Sequence, residues 1–472
     1  MKKGLLFSAI FLLILNAHAQ RLVKRSDITM SNLGDTQMYA NKNDEKKTPL
    51  DGKCRIFNGI TTEYIDANFL KGFAEGKWEY YVGNRLTLSA NFQEGYLEGD
   101  YVEYYEDDKI SLKGAYVKGK RIGKWEHFNR DGKLIRLENC EDGKSSIMTD
   151  YYANGQIKEE IYFKGGKENG STKRYDEEGK LYANLNYVDG KQVGKQYQSI
   201  SSNTGDYILN SNYNEEGRLH GDYEEIYVNF NTPKETGTYR DGQKDGTWKK
   251  FKSDGTITLS EVFEKGKLRK KTTFYNDGTV ELEQAFLDGR LHGTSKKFEY
   301  GGDFKYEKNY VNGIEVGKQV QIISSNTGSF KMEYMLNEFG KKEGKYLEVY
   351  IDGNEVKVEG EYVNDKKEGE WTSYRRGRLD AMETYKNGTL QGKQSHYVEN
   401  KDGDYIVTFN LDDKGRKEGA YEEVYFSDKS VKKKGQYLYG DEDGFWQYYS
   451  HGKMIKEEKY DRGKLLETRI IE

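Results

Sequence analysis

Gly76-Lys-Trp-Glu-Tyr-Tyr-Val-Gly-Asn-Arg-Leu-Thr-Leu-Ser-Ala-Asn-Phe92 reads as two strands and a turn. Trp78 to Val82 and Leu86 to Phe92 have strand length and composition, and Gly83-Asn84-Arg85 between them has hairpin chemistry. The opening Gly-x-Trp returns at Gly123-Lys124-Trp125, Gly246-Thr247-Trp248, Gly369-Glu370-Trp371 and Gly444-Phe445-Trp446. All 5 tryptophans of the 472-residue chain therefore stand two residues after a glycine. Three of them are spaced alike (248 − 125 = 371 − 248 = 123). Such self-similarity marks an array, whose length adds units rather than new cores.

The leading glycines are Gly52, Gly76, Gly99, Gly123, Gly170, Gly194, Gly221, Gly246, Gly293, Gly317, Gly344, Gly369, Gly392, Gly419 and Gly444. Ile147 and Lys270 keep the spacing without the glycine, which gives about 17 units at steps of 23 to 27 residues. A second glycine commonly stands four residues earlier, as at Gly119 and Gly242, giving a connector with glycine at both ends. Turns with positive φ require that residue type. Asp131-Gly132, Asn154-Gly155, Asp254-Gly255, Asp277-Gly278 and Asp352-Gly353 supply the hairpin signal at the tips. Hairpins joined by links this short form an antiparallel meander, because parallel pairing needs a crossover of a dozen or more residues. The sequence thus predicts an all-β fold: an elongated, single-layer antiparallel meander of tandem β-hairpins.

The column two residues after the leading position reads Cys54, Trp78, Tyr101, Trp125, Thr149, Thr172, Gln196, Tyr223, Trp248, Thr272, Ser295, Gln319, Tyr346, Trp371, Gln394, Tyr421, Trp446. Gln, Tyr, Trp recurs in that order three times, with Trp78 and Trp125 outside it. A second aromatic column lies five residues after the leading position and includes Tyr81, Tyr104, Tyr152, Tyr175, Tyr275, Tyr374, Tyr397 and Tyr449. Offsets two and five differ in parity. Either a bulge realigns them or both faces carry aromatics. The tryptophans are assigned to packing, and those eight tyrosines to a binding surface.

Tyr116-Val-Lys-Gly-Lys-Arg-Ile-Gly-Lys-Trp-Glu-His-Phe128 and Tyr239-Arg-Asp-Gly-Gln-Lys-Asp-Gly-Thr-Trp-Lys-Lys-Phe251 resemble MORN repeats, in the bacterial variant of the YwqK-family antitoxin repeats. Arg218-Leu-His-Gly221 and Arg290-Leu-His-Gly293 are similar to the connector of the eukaryotic form. The resemblance covers about residues 49–472. It implies a hairpin array with an interaction role, and an antitoxin-like or immunity function as a weaker alternative.

Residues 1–19 have the three parts of a secretory signal: Lys2 and Lys3, an apolar run from Gly4 to Leu15, and Ala17-His18-Ala19. Export to a periplasmic or extracellular compartment is expected. Residues 20–48 lack the repeat and are expected to cap the first strand or to be disordered, and Gly463 to Glu472 is expected to cap the other end. No later segment reaches the roughly 20 apolar residues of a membrane span. The 75 basic and 79 acidic residues nearly cancel, and no block of like charge suggests a nucleic-acid partner. Cys54 and Cys140 lie three units apart, about 29 Å if each unit adds two strands, so two free thiols are expected.

The histidines fall at repeat positions, and no His-x-x-His, Cys-x-x-Cys, nucleophile elbow, phosphate loop or dinucleotide fingerprint is present. No catalytic, cofactor or metal residue is assigned. The sequence points to an exported, non-enzymatic scaffold that binds a protein through an extended sheet. Glycan or cell-wall binding through the aromatic ladders is the alternative.

Overall fold

A computed structural model describes residues 20–59, 62–203, 205–326 and 328–471. The segment read as an export signal lies outside the described residues, as do Thr204 and Thr327 of two long tips. Among the described residues the regular structure is β-strand, apart from one 3-10 turn at Arg25–Asp27. The backbone divides into two units, Met1–Asn229 and Phe230–Glu472. In each, strands that follow one another in sequence pair antiparallel, as the short links require.

Two turn geometries recur. At many connectors a two-residue turn closes the ladder: Val117 pairs with Lys120 around Lys118 (φ 48) and Gly119 (φ 75). Asp241-Gly242 and Asn387-Gly388 repeat this pair of left-handed residues. It is the mirror-image turn whose twist matches that of paired strands. At many tips a longer loop carries one left-handed glycine, whereas Arg376-Gly377 and His451-Gly452 form two-residue turns. Asn129 Oδ1 accepts from the Asp131 and Lys133 amides at 3.0 Å each, and Gly132, at φ 79, donates to the Asn129 carbonyl at 2.9 Å. Gly155, Gly255 and Gly278 do the same. The Asp352-Gly353 tip departs from expectation, since Asn354 (φ 56) takes the left-handed position there.

Every leading glycine from Gly52 to Gly444 has a positive φ, yet several sit inside strands rather than between them. In Gln243–Phe251, Thr236 pairs with Lys249 but Thr238 pairs with Asp245, so the register breaks opposite Gly246 (φ 71). The glycine is a bulge residue that bends a continuous strand.

The two ends of the array differ from the units between them. Residues 20–48 lack the repeat and lie against the first strand. Arg21–Lys24 pairs parallel with Gly52–Phe57, and the hairpin of Ile28–Leu33 and Thr36–Asn41 reaches back so that Tyr39 donates to the Gly72 carbonyl at 2.7 Å. This is the one parallel pair described, and the intervening 27-residue stretch, 25–51, supplies its crossover. At the other end Lys464–Ile470 pairs with Lys453–Asp461, and every residue of it is exposed.

Candidate functional site

Following facing residues from strand to strand defines the two faces of the sheet. In the first unit Trp78 faces Ala90, Ala90 faces Tyr101, and Tyr101 faces Gly114. Trp125 then faces Glu138, Met148 and Ile161 in succession. In the second, Trp248 faces Glu261, then Lys271, Gln284 and Ser295. This row is the core. Its tryptophans are buried, with Trp125 and Trp446 at 0% exposure. Thr149 and Thr272 do not belong to it. Met148 and Lys271 hold those positions, and the two threonines point to the other face.

A one-layer sheet buries an indole by removing side chains from the neighbouring strand. Gly114, Gly237, Gly360 and Gly435 each lie beneath a tryptophan eleven residues later, and a Cβ on any of them would stand 2.2 to 2.3 Å from the ring. Their φ values are ordinary, so the requirement is space. Ala67 fills the same place beneath Trp78. Tyrosines close the sides: Tyr346 and Tyr362 lie 5.3 and 4.9 Å from Trp371. Tyr421 and Tyr437 lie 5.2 and 5.1 Å from Trp446, and Tyr101 and Tyr116 lie 5.6 and 5.0 Å from Trp125. Trp125 therefore packs like the later tryptophans, although Trp78 rather than Gln stands ahead of Tyr101 in its column.

The glutamines are polar equivalents of tryptophan. The Nε1 groups of Trp78, Trp248 and Trp371 donate to the carbonyls of Asn68, Thr238 and Glu361, ten residues earlier, at 2.9 to 3.1 Å. Gln196, Gln319 and Gln394 donate Nε2 to Asn186, Asn309 and Thr384, also ten residues earlier, at 3.1 to 3.3 Å. The carbonyl at the bulge is thereby kept hydrogen-bonded. The indole N–H groups of Trp125 and Trp446 are buried without a partner.

Charge is held against this row. The hydroxyls of Tyr101, Tyr223, Tyr346 and Tyr421 donate to Glu103, Glu225, Glu348 and Glu423, two residues on, at 2.6 to 2.7 Å. Burial first, and the bonded carboxylate second, push the phenols of Tyr101, Tyr346 and Tyr421 well above the usual range. Lys244 Nζ lies 3.8 Å from the Trp248 ring centre and Lys367 Nζ 4.2 Å from that of Trp371. The opposite face is a polar ladder: Lys113 meets Glu126 at 2.7 Å, Lys296 meets Glu307 at 3.0 Å, and Gln447 donates to Glu457 at 3.0 Å.

The eight tyrosines assigned to a binding surface are all half-buried and do not form one surface. Tyr81, Tyr175, Tyr374 and Tyr449 bond Glu79, Glu160, Glu359 and Gln447 on the polar face. Tyr397 bonds Asp404 and lies 3.8 Å beneath the Arg378 guanidinium. Tyr104 faces Ile110 on the next strand. Tyr152 and Tyr275 sit at tips and donate to the carbonyls of Tyr175 and Phe298 in the next hairpin, at 2.8 and 2.9 Å. Tyr105 does likewise to Phe128 at 2.7 Å. Both faces carry aromatics, and most of these phenols are engaged internally.

Exposed apolar groups lie at the hairpin ends instead. In the second unit Phe230, Tyr300, Ile351 and Phe426 occupy hairpin tips that lie two or three hairpins apart. Phe339 and Tyr439 are exposed at the connector edge, at 73% and 64%. No group of three or more potential metal ligands occurs among the described residues. No described helix is long and apolar enough to cross a membrane.

No protein-family model and no curated protein matches the chain. It aligns with the crystal structure of TcdB2-TccC3 at 10% identity and a TM-score of 0.13, over 92% of this chain and 30% of that one. It also aligns with the Tc holotoxin pore of Photorhabdus luminescens at 10% identity and 0.15, over 91% and 27%. Dihydro-heme d1 dehydrogenase NirN in complex with DHE aligns at 13% and 0.11, over 88% and 75%. The chain thus spans less than a third of the toxin chains, and likeness this low carries no functional inference.

Sequence reasoning missed the glycines beneath the tryptophans and the apolar tips. The first had a signal, a glycine eleven residues before four of the five tryptophans. The second did not, because single apolar residues in polar loops look ordinary.

Proposed function

We propose that the protein is an exported, non-enzymatic MORN-like scaffold that binds another protein along the ends of its hairpins. The observation that carries this reading is the set of exposed apolar side chains at hairpin tips along one edge of the second unit, two or three hairpins apart, with Phe230 at 60%, Tyr300 at 66%, Ile351 at 50% and Phe426 at 36% exposure. The two faces offer less. One is an aromatic row covered by its own tyrosines and lysines, and the other is satisfied by ion pairs. Apolar groups held at separate points along one edge, with polar tips between them, suit the anchor-and-rim pattern of protein interfaces.

The test compares the exported full chain with a Phe230→Ser, Tyr300→Ser, Phe426→Ser variant. Proteins co-purifying with each are quantified by mass spectrometry beside polysaccharide sedimentation. A protein retained by the parent and lost by the variant supports the reading. Retention on polysaccharide with no protein partner defeats it.

A further inference from the structure

The first unit carries a groove on its polar face that the repeat does not require. It is open, about 450 Å³ in volume, and crosses the strands Leu181–Val188, Gly194–Ile200, Tyr207–Tyr213 and Gly221–Tyr227. Asn184 faces Tyr197, Tyr197 faces Asn210, and Asn210 faces Glu224. One step along, Lys195 faces Asn212, and Asn186 and Asp222 line the same hollow. Four strands at about 4.8 Å spacing give a floor about 14 Å across.

Asparagine is depleted in strands, so four in the two strands that flank Gly194–Ile200 call for a reason. Asn186 recurs as Asn309 and makes the same bond to a lysine carbonyl, at 2.5 Å in both copies, but for Asn184 and Asn210 the later copies show that folding is not it. Where the first copy has Asn184, Tyr197 and Asn210, the second has Glu307, Val320 and Glu333 and the third Met382, Ser395 and Thr408. Those positions close on themselves: Lys318 pairs with Glu333 at 2.9 Å, and Ser395 bonds Thr408 at 3.0 Å. In the first copy, Asn184 Oδ1 accepts from Ser171 at 2.5 Å and Asn210 Nδ2 reaches Glu224 at 3.5 Å. The Asn184 amide donors and the Asn210 carbonyl oxygen stay uncommitted.

We propose that this groove binds a neutral oligosaccharide. Carboxamides offer a donor and an acceptor side by side, matched to adjacent hydroxyls, and the carboxylates of Asp222 and Glu224 accept from further hydroxyls. The half-buried Tyr197 ring offers a flat apolar surface to a sugar ring. Two carboxylates against the single Lys195 disfavour an anionic ligand. The site does not rest on the protein-partner reading, because the tip residues are no part of it.

The experiment titrates the full chain with maltotriose, cellotriose and chitotriose in turn by calorimetry, with a sialylated trisaccharide as the charged arm. The variants are Asn184→Met with Asn210→Thr, which import residues that the third copy already folds with, and Tyr197→Ala. Saturable binding of at least one neutral trisaccharide, weakened at least tenfold in both variants and unchanged in Ser395→Ala, is expected. Absence of binding by all three neutral sugars, binding of the charged one alone, or binding that survives both variants would overturn the proposal. Loss of sugar binding with the tip result intact would leave the scaffold reading standing.

Discussion

Replacing Gly360 by alanine should cost far more than replacing Gly369, although the second glycine is the one the repeat displays. A Cβ on Gly360 would stand 2.3, 2.4 and 2.7 Å from Trp371 Cδ2, Cε2 and Cγ, where contacting carbons need about 3.5 Å or more. The indole must shift by about 1 Å and lose its 3.1 Å bond to the Glu361 carbonyl. Overpacking costs roughly 1–3 kcal/mol and a lost hydrogen bond about 1, so a total near 3 kcal/mol is expected. At Gly369 nothing lies within 4 Å, and only its φ of 69° resists, at about 1–2 kcal/mol. Trp371→Gln supplies the control. Glutamine already fills this column at Gln394 with a full side chain, Glu383, beneath it. In that background Gly360→Ala should cost less than about 1 kcal/mol. Hydrogen exchange of peptides spanning 356–386 reads the effect locally, which suits an array where unfolding need not be global. Equal costs at Gly360 and Gly369, or a Gly360 penalty undiminished by Trp371→Gln, would refute the reasoning.

Removing a tip tie, in Tyr152→Phe or Tyr275→Phe, should speed exchange only in the two joined tips, and Tyr275→Phe should cost about 0.5–1.5 kcal/mol; exchange spreading over whole hairpins would contradict it. Alkaline pH should destabilise the chain. Burial pushes Tyr80 up to about 12, so its contribution is intact below the unfolded value near 10 and is lost as pH rises through about 12. Absorbance at 295 nm should show a tyrosine fraction titrating with unfolding rather than at 10. Cys54 and Cys140 are free thiols that burial pushes upward, so both should resist a thiol reagent until denaturant is added, with no crosslink in the intact mass.

The hairpins, their spacing and the core column of tryptophans were legible because turn glycines and aromatics repeat at fixed offsets. What escaped was cross-strand. The bulge at each leading glycine moves the residue beneath a tryptophan to eleven positions earlier, where a count within one unit does not look. The same bulge hides the kinship of Trp371 and Gln394, which share a carbonyl position rather than a chemistry. Thr149 and Thr272 were placed one residue off because Ile147 and Lys270 lack the glycine that marks the count. The parallel strand Arg21–Lys24 carries no repeat at all.

Hydroxyl-radical footprinting of the native full chain, read residue by residue by mass spectrometry, bears on both halves of the account at once. Trp78, Trp125, Trp248, Trp371 and Trp446 should oxidise more slowly than Phe230, Tyr300, Phe339, Phe426 and Tyr439, despite tryptophan's greater intrinsic reactivity. Tryptophans that oxidise as fast as those end residues would contradict a buried aromatic row and, with it, the placement of recognition at the hairpin ends.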